Sequence, residues 1–133
     1  MKEIIKALLT ENLFDRQSDE QVMLLNDFLK FVTTHLKIVN PNVKIQFGRE
    51  GLVTTASYGN KEVRVYAKDR ALVDIMRSLA HELVHMKQDV EGRLDQVHHD
   101  QNNEAGSPIE NEANSVAGVL IRKFGELHSE IYI

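Results

Sequence analysis

The spacing of hydrophobic residues predicts helices at both ends of the chain and a small sheet between them. Residues 1–40 place apolar side chains three and four positions apart, which is the spacing of one helix face. This predicts a short amphipathic helix before Phe14 and a longer helix that ends near Leu36. Asn40-Pro41 follows, and a residue before proline rarely continues a helix.

Between residues 43 and 68 the period changes to two, which is typical of strands with one buried face. Three such runs are separated by turn-forming residues, and Gly59-Asn60 has the composition of a two-residue hairpin loop. The third run is Lys61 to Lys68. Short turns between consecutive strands favour a three-stranded antiparallel meander.

The helical period returns over residues 70–91, with Asp69 as the expected N-cap and Gly92 as the expected end. A last helix is predicted over residues 108–124. The predicted fold class is therefore α+β, with 1–133 as a single domain.

Composition narrows the classes of partner and cofactor. The formal net charge of −4 and the pI near 5.8 predict neither nucleic acid nor an anionic membrane as partner. No cysteine is present, so thiolate zinc sites, cysteine nucleophiles and disulfides are excluded. No apolar run reaches the ~20 residues of a membrane span, and no signal-peptide pattern is recognised. We expect a cytoplasmic, intracellular protein.

The third helix carries the strongest chemical signal, His81-Glu82-Leu83-Val84-His85. Residues four apart lie on one helix face, so the imidazoles of His81 and His85 can reach a single metal ion. Glu82 would lie beside that ion and act on a water bound to it. HExxH on a helix is the signature of zinc hydrolases, with the glutamate as general base.

A catalytic zinc needs a third protein ligand, and the sequence offers several. The pattern with a third histidine six residues after His85 fails, because Glu91 stands there and Gln88 replaces the expected glycine. The polar loop before the last helix offers candidates at His98, His99 and Asp100.

The last helix offers a glutamate instead. Ser107-Pro108-Ile109-Glu110 has the form of a capping box with proline at the first helical position, so we expect the Glu110 carboxylate to bond back to the Ser107 amide. This leaves Glu112 as the free carboxylate and favours it as the third ligand. Asn114 is then placed to orient one of the ligand imidazoles.

The HExxH motif followed by Asn111-Glu112-Ala113 resembles the gluzincin class of metallopeptidases, the group that includes thermolysin. It is also similar to small HExxH peptidases encoded by phages and prokaryotes and to the ImmA/IrrE-type domain. The resemblance covers roughly residues 61–125. The chain departs from it at Asn114, because thermolysin-like enzymes carry an aspartate in that region.

The resemblance implies a zincin-like fold and a zinc-dependent metallopeptidase. His81, His85 and Glu112 would bind Zn²⁺, Glu82 would be the general base, and a peptide or protein would be the substrate. The expected substrate-binding sheet edge is the strand Lys61 to Lys68. Candidates for stabilising the oxyanion are Arg93, His98, His99, His128 and Tyr132.

Two other functions fit the same residues. One is a zinc-binding interaction or structural module without turnover, for example a phage-encoded protein acting in the host cytoplasm or the virion. The other is a helical interaction domain without metal. If the chain is an enzyme, the first helix or the tail 127–133 would be apolar enough to cover the cleft and keep it latent.

Overall fold

The computed structural model describes residues 19–47, 55–94 and 107–132. These ranges form an α+β fold in which three helices pack with a small mixed sheet. In chain order the elements are α1 (Asp19–Leu36), β1 (Asn42–Gln46), β2 (Ala56–Gly59), β3 (Glu62–Tyr66), α2 (Leu72–Val90), α3 (Pro108–Leu127) and a 3₁₀ turn (Ser129–Tyr132). The predicted first helix, the loop with His98, His99 and Asp100, and part of the second predicted strand lie outside the described residues.

The sheet is mixed, so the prediction of an antiparallel meander was wrong. The strand order is β1-β3-β2, with β3 antiparallel to β2 and parallel to β1. In this register Val43 lies beside Val63 and Ile45 beside Val65, and all four side chains are buried. Alternation of apolar residues marks the buried face of a strand but carries no information on its neighbours, which explains the error.

The central place of β3 also corrects the expectation that it forms the substrate-binding edge. A strand paired on both sides has no free backbone groups for an added peptide. Among the described strands the edges are β1 and β2.

The β2–β3 turn is formed by Asn60-Lys61, one residue later than predicted. Gly59 is still paired, opposite Glu62, and both turn residues have positive φ angles of 50° and 60°. Two consecutive residues with positive φ are characteristic of a type I′ turn, whose twist matches that of the flanking strands. A lysine therefore stands where such turns usually carry glycine.

α1 ends at Leu36, as predicted, in a Schellman motif. The Ile38 amide donates to the Thr33 carbonyl at 3.0 Å, and the Lys37 amide to Thr34 at 3.4 Å. Lys37 takes the left-handed conformation that this motif requires, with φ 57°, although glycine is the usual residue at that position.

α2 begins without the predicted cap. Ala71 is the N-cap residue, with no side-chain hydrogen bond, and Asp69 has a positive φ of 58°. Arg70 holds this junction instead, because its guanidinium donates to the Tyr66 carbonyl at 2.9 Å and to the Ser78 hydroxyl at 2.7 Å. The helix ends before Gly92, as predicted, where φ is +75°.

The core lies between the three helices and one face of the sheet. Phe28 of α1 meets Phe124 of α3 edge to face, with ring centroids 5.1 Å apart. The 3₁₀ turn closes the far end, because Ile131 is only 1% exposed. α3 runs past the predicted end at residue 124 to Leu127. No helix in the described ranges has the length and apolar character needed to cross a membrane.

Candidate metal centre

The two histidines of the HExxH motif converge on one face of α2. Their Nε2 atoms are 3.2 Å apart, and the rings meet edge to face with centroids at 4.8 Å. His85 is buried and His81 is partly exposed, so the pair lies at the border between core and solvent. This is the arrangement that the spacing of four residues predicts.

The carboxylate that meets these histidines belongs to Glu110. Its Oε1 lies 3.0 Å from Nε2 of His81, and its Oε2 lies 2.9 Å from Nε2 of His85. The three side chains place their ligand atoms within 4.8 Å of one another, and they form the one such group found among the described residues.

The local structure of α3 explains how Glu110 reaches this position. Ser107 caps the helix, since its hydroxyl accepts the Glu110 amide at 3.2 Å, and Pro108 occupies the first turn. This bond is the serine side-chain contact of the predicted capping box. The Glu110 carboxylate faces α2, where its two oxygens lie next to the Nε2 atoms of the two histidines.

Glu112 lies apart from the histidines, so the structure corrects its expected position. Its carboxylate accepts hydrogen bonds from the two terminal guanidinium nitrogens of Arg93, at 2.9 and 3.0 Å, and from the Gln88 amide at 2.9 Å. These hydrogen bonds, those from Arg93 foremost, lower the pKa of Glu112. Side chains two residues apart point in directions about 160° apart around a helix, so only one of the two glutamates can face the histidines.

Gln88, to which the sequence analysis gave no role in the site, links His85 to the start of α3. Gln88 is completely buried, and its Oε1 lies 2.8 Å from Nδ1 of His85. Its Nε2 donates to Glu112 and, at 3.1 Å, to the Ile109 carbonyl. The only signal in the sequence was a glutamine three residues after the second histidine, on the same helix face.

The hydrogen bonds of Gln88 determine the tautomer of His85. Because its amide nitrogen donates to two oxygens, the amide oxygen must face His85 and can only accept. His85 therefore donates from Nδ1 to Gln88, which leaves Nε2, 2.9 Å from Glu110, as the ring nitrogen that can bind a metal ion. Such a partner on the second ring nitrogen is common for metal-binding histidines.

His81 is poised as a neutral imidazole. Burial, with the neighbouring His85, lowers its pKa, although Glu110 and a hydrogen bond with Asn114 act in the opposite direction. Asn114, which the sequence placed to orient one of the imidazoles, is thus a hydrogen-bond partner of His81.

Glu82 lies beside the centre and makes no part of the three-ligand group. The residue is 9% exposed, and burial, together with the charge of Glu110, raises its pKa to about 7. A carboxylate with that pKa can both accept and release a proton near neutral pH.

The residues predicted as candidates for stabilising the oxyanion lie in different parts of the structure. Arg93 is engaged with Glu91 and Glu112. His128 and Tyr132 lie at the other end of α3, 18 or more residues beyond Glu110, which is about 27 Å along a helix. His98 and His99 lie outside the described residues.

The donor set fits a zinc ion. Two imidazole nitrogens and one carboxylate oxygen are the protein ligands of one common type of catalytic zinc site, and no thiolate is needed. No family model matches the chain, and no curated protein or solved structure matches it either. The chemistry of these side chains is therefore the basis for the function proposed next.

Proposed function

We propose that the protein is a zinc-dependent hydrolase of peptide bonds, with His81, His85 and Glu110 as metal ligands and Glu82 as general base. The observation that carries this proposal is the convergence of both Glu110 oxygens on the two Nε2 atoms, at 3.0 and 2.9 Å. A buried carboxylate directly after the first histidine distinguishes such a hydrolase from a merely structural zinc site, which has no use for it.

The side chains divide the chemistry between them. Bound zinc would supply a water of lowered pKa and an electrophile for the scissile carbonyl. Glu82 would take a proton from the attacking water onto its carboxylate and deliver it to the leaving amine nitrogen. His85, held by Gln88, and His81, held by Asn114, would keep their Nε2 lone pairs directed at the ion.

A peptide substrate would bind along β2. Among the described strands it is an edge of the sheet, and its neighbour β3 is antiparallel to it. The Tyr58 hydroxyl donates to Asp89 of α2 at 2.5 Å, which fixes the strand to the helix that carries the histidines. Backbone groups of an edge strand can pair with an extended peptide. A zincin-like relation between this sheet and α2 is part of the same proposal.

Zinc content and proteolysis measured on matched variants test the proposal. We expect about one zinc per chain in the wild type, strong loss in Glu110→Gln, and retention in Glu112→Gln, the matched control two residues away. Glu82→Gln should keep its zinc and lose hydrolysis of a casein or peptide-library substrate.

The other outcomes are equally informative. Zinc retained in Glu110→Gln and lost in Glu112→Gln would contradict the ligand set. A wild type that binds zinc and cleaves nothing, while Glu82→Gln behaves identically, would favour the zinc-binding module without turnover.

A further inference from the structure

We propose that a second site, the lysine pocket, binds an acidic segment of a polypeptide partner. This pocket lies where the end of α1, the β2–β3 turn and the last turn of α2 meet, and its volume is about 570 Å³. That volume is within the range of ligand-binding clefts. It does not include His81, His85 or Glu110.

The floor and wall of the pocket are apolar. They include Ile38, Pro41 and Met86, and two valines that remain unusually exposed, Val39 at 82% and Val90 at 75%. Neighbouring exposed apolar side chains in a concave surface are typical of an interaction site. A ligand with some apolar character would cover them.

The charge of the pocket is positive on a chain whose formal net charge is −4. Lys37, Lys61 and Lys87 line it, and Asp89, the one carboxylate among the described residues that line it, accepts the Tyr58 hydroxyl. Lys87 also faces Glu91 at 3.9 Å, which is a long and weak ion pair. Charge complementarity therefore selects a ligand that carries carboxylates.

The backbone at two of these lysines supports a binding role. Lys37 and Lys61 both have positive φ angles, 57° and 60°, in motifs where glycine is the favoured residue. A lysine at such a position is less favourable than glycine for the fold. Both lysines line the same pocket, where their charged side chains provide ligand contacts that glycine could not.

These features together indicate a polypeptide rather than a small anion. The three ammonium groups come from three different elements around an apolar floor, so an extended segment with alternating acidic and apolar residues matches both. If the proposed hydrolase function holds, this partner is a substrate held at a distance from the scissile bond. That last step alone depends on the proposed function.

Peptide binding without turnover tests the inference. The probe is a fluorescein-labelled peptide of alternating glutamate and leucine, with a lysine–leucine peptide as its counterpart. Anisotropy is measured with the full-length Glu82→Gln chain, with zinc and with a chelator. We expect binding of the acidic probe in both conditions, weakening with added NaCl, and no binding of the basic probe.

Glycine variants make the test specific. Lys37→Gly/Lys61→Gly should weaken binding of the acidic probe roughly tenfold, because two rim charges are lost. The same variant should melt at a temperature a few degrees higher than the parent, because glycine relieves both left-handed residues. Lys123→Gln, which removes a charge on the exposed face of α3, is the matched control and should bind like the parent.

Three results would overturn the inference. The glycine variant could bind the probe unchanged, the two probes could bind equally, or millimolar inorganic phosphate could displace the acidic probe fully, which would indicate a simple anion site. A chain that binds the acidic probe but holds no zinc would retain this inference and lose the proposed function.

Discussion

Gln88 joins the two helices that carry the proposed ligands, because one amide group contacts both. Its oxygen accepts from Nδ1 of His85 at 2.8 Å, and its nitrogen donates to the Ile109 carbonyl at 3.1 Å, next to Glu110. The amide thus orients one ligand directly and the backbone of another. Gln88 is therefore a positioning residue for the proposed metal centre.

Replacing Gln88 should weaken metal binding more than its distance from the ion suggests. Gln88→Met keeps the volume and loses the hydrogen bonds, and we expect a zinc dissociation constant about 10–100-fold higher, as for other partners of ligand histidines. Gln88→Glu, which can still accept from His85, should recover part of the affinity. Competition with a zinc-binding dye measures both.

A double-mutant comparison separates positioning from general loosening of the fold. In a His85→Ala background the Gln88→Met change should have a smaller effect on zinc affinity, because the histidine it orients is gone and only its bond to the Ile109 carbonyl, next to Glu110, remains to be lost. An equally large loss in both backgrounds would show that Gln88 acts on the fold as a whole.

The cap of α3 should influence both stability and the site. The Ser107 hydroxyl accepts the Glu110 amide, so Ser107→Ala should lower the free energy of unfolding by about 1 kcal/mol in metal-free protein. Because the same amide belongs to a proposed ligand, zinc affinity should fall as well. Ser107→Asp, which can still cap, should restore both quantities in denaturant titrations and zinc competition. Loss of stability with unchanged zinc affinity would separate the cap from the site.

Sequence reasoning located the two histidines because helical spacing alone brings residues four apart onto one face. It chose between Glu110 and Glu112 from local capping, and that choice depends on where α2 lies, which no local pattern encodes. In the structure the Glu110 carboxylate lies against the two histidines, and Arg93 and Gln88 donate hydrogen bonds to Glu112.

The same limit explains the sheet. The alternation in β1 and β3 predicted correctly that Val43, Ile45, Val63 and Val65 are buried. The parallel pairing of β1 with β3 is a contact between strands that are distant in sequence. The position of the hairpin turn at Asn60-Lys61 was missed for a local reason. A lysine at positive φ is unfavourable, so the sequence did not lead us to expect one there.

The bond between Tyr58 and Asp89 should be visible in titration and in stability. Burial, reinforced by the hydrogen bond to Asp89, raises the pKa of the Tyr58 phenol. Ultraviolet titration should therefore show one tyrosine that resists ionisation at high pH, and this resistant step should disappear in Tyr58→Phe. The variant should also lose about 1 kcal/mol of unfolding free energy, because Asp89 loses its partner. Tyr66→Phe serves as the comparison. If the resistant step disappears in that variant, the resistant tyrosine is Tyr66 and the prediction for Tyr58 is wrong.

Glu62 should make the fold sensitive to acid. Hydrogen bonding to Arg64 on the same strand, with the charge of Lys44, lowers its pKa below the usual 4.5, and the Lys44 contact connects β3 with β1. A carboxylate whose folded pKa is lowered stabilises the protein above its unfolded pKa, and the gain is lost as the pH falls through the folded value.

The melting temperature of wild type should therefore exceed that of Glu62→Gln near pH 7, and the difference should shrink below pH 4.5. The effect should be below ~1 kcal/mol, because the ion pairs are near the surface. Calorimetry on metal-free protein measures it, and in an Arg64→Met background the pH dependence should be smaller. A difference that is the same at pH 3 and pH 7 would mean that Glu62 contributes through packing rather than through its charge.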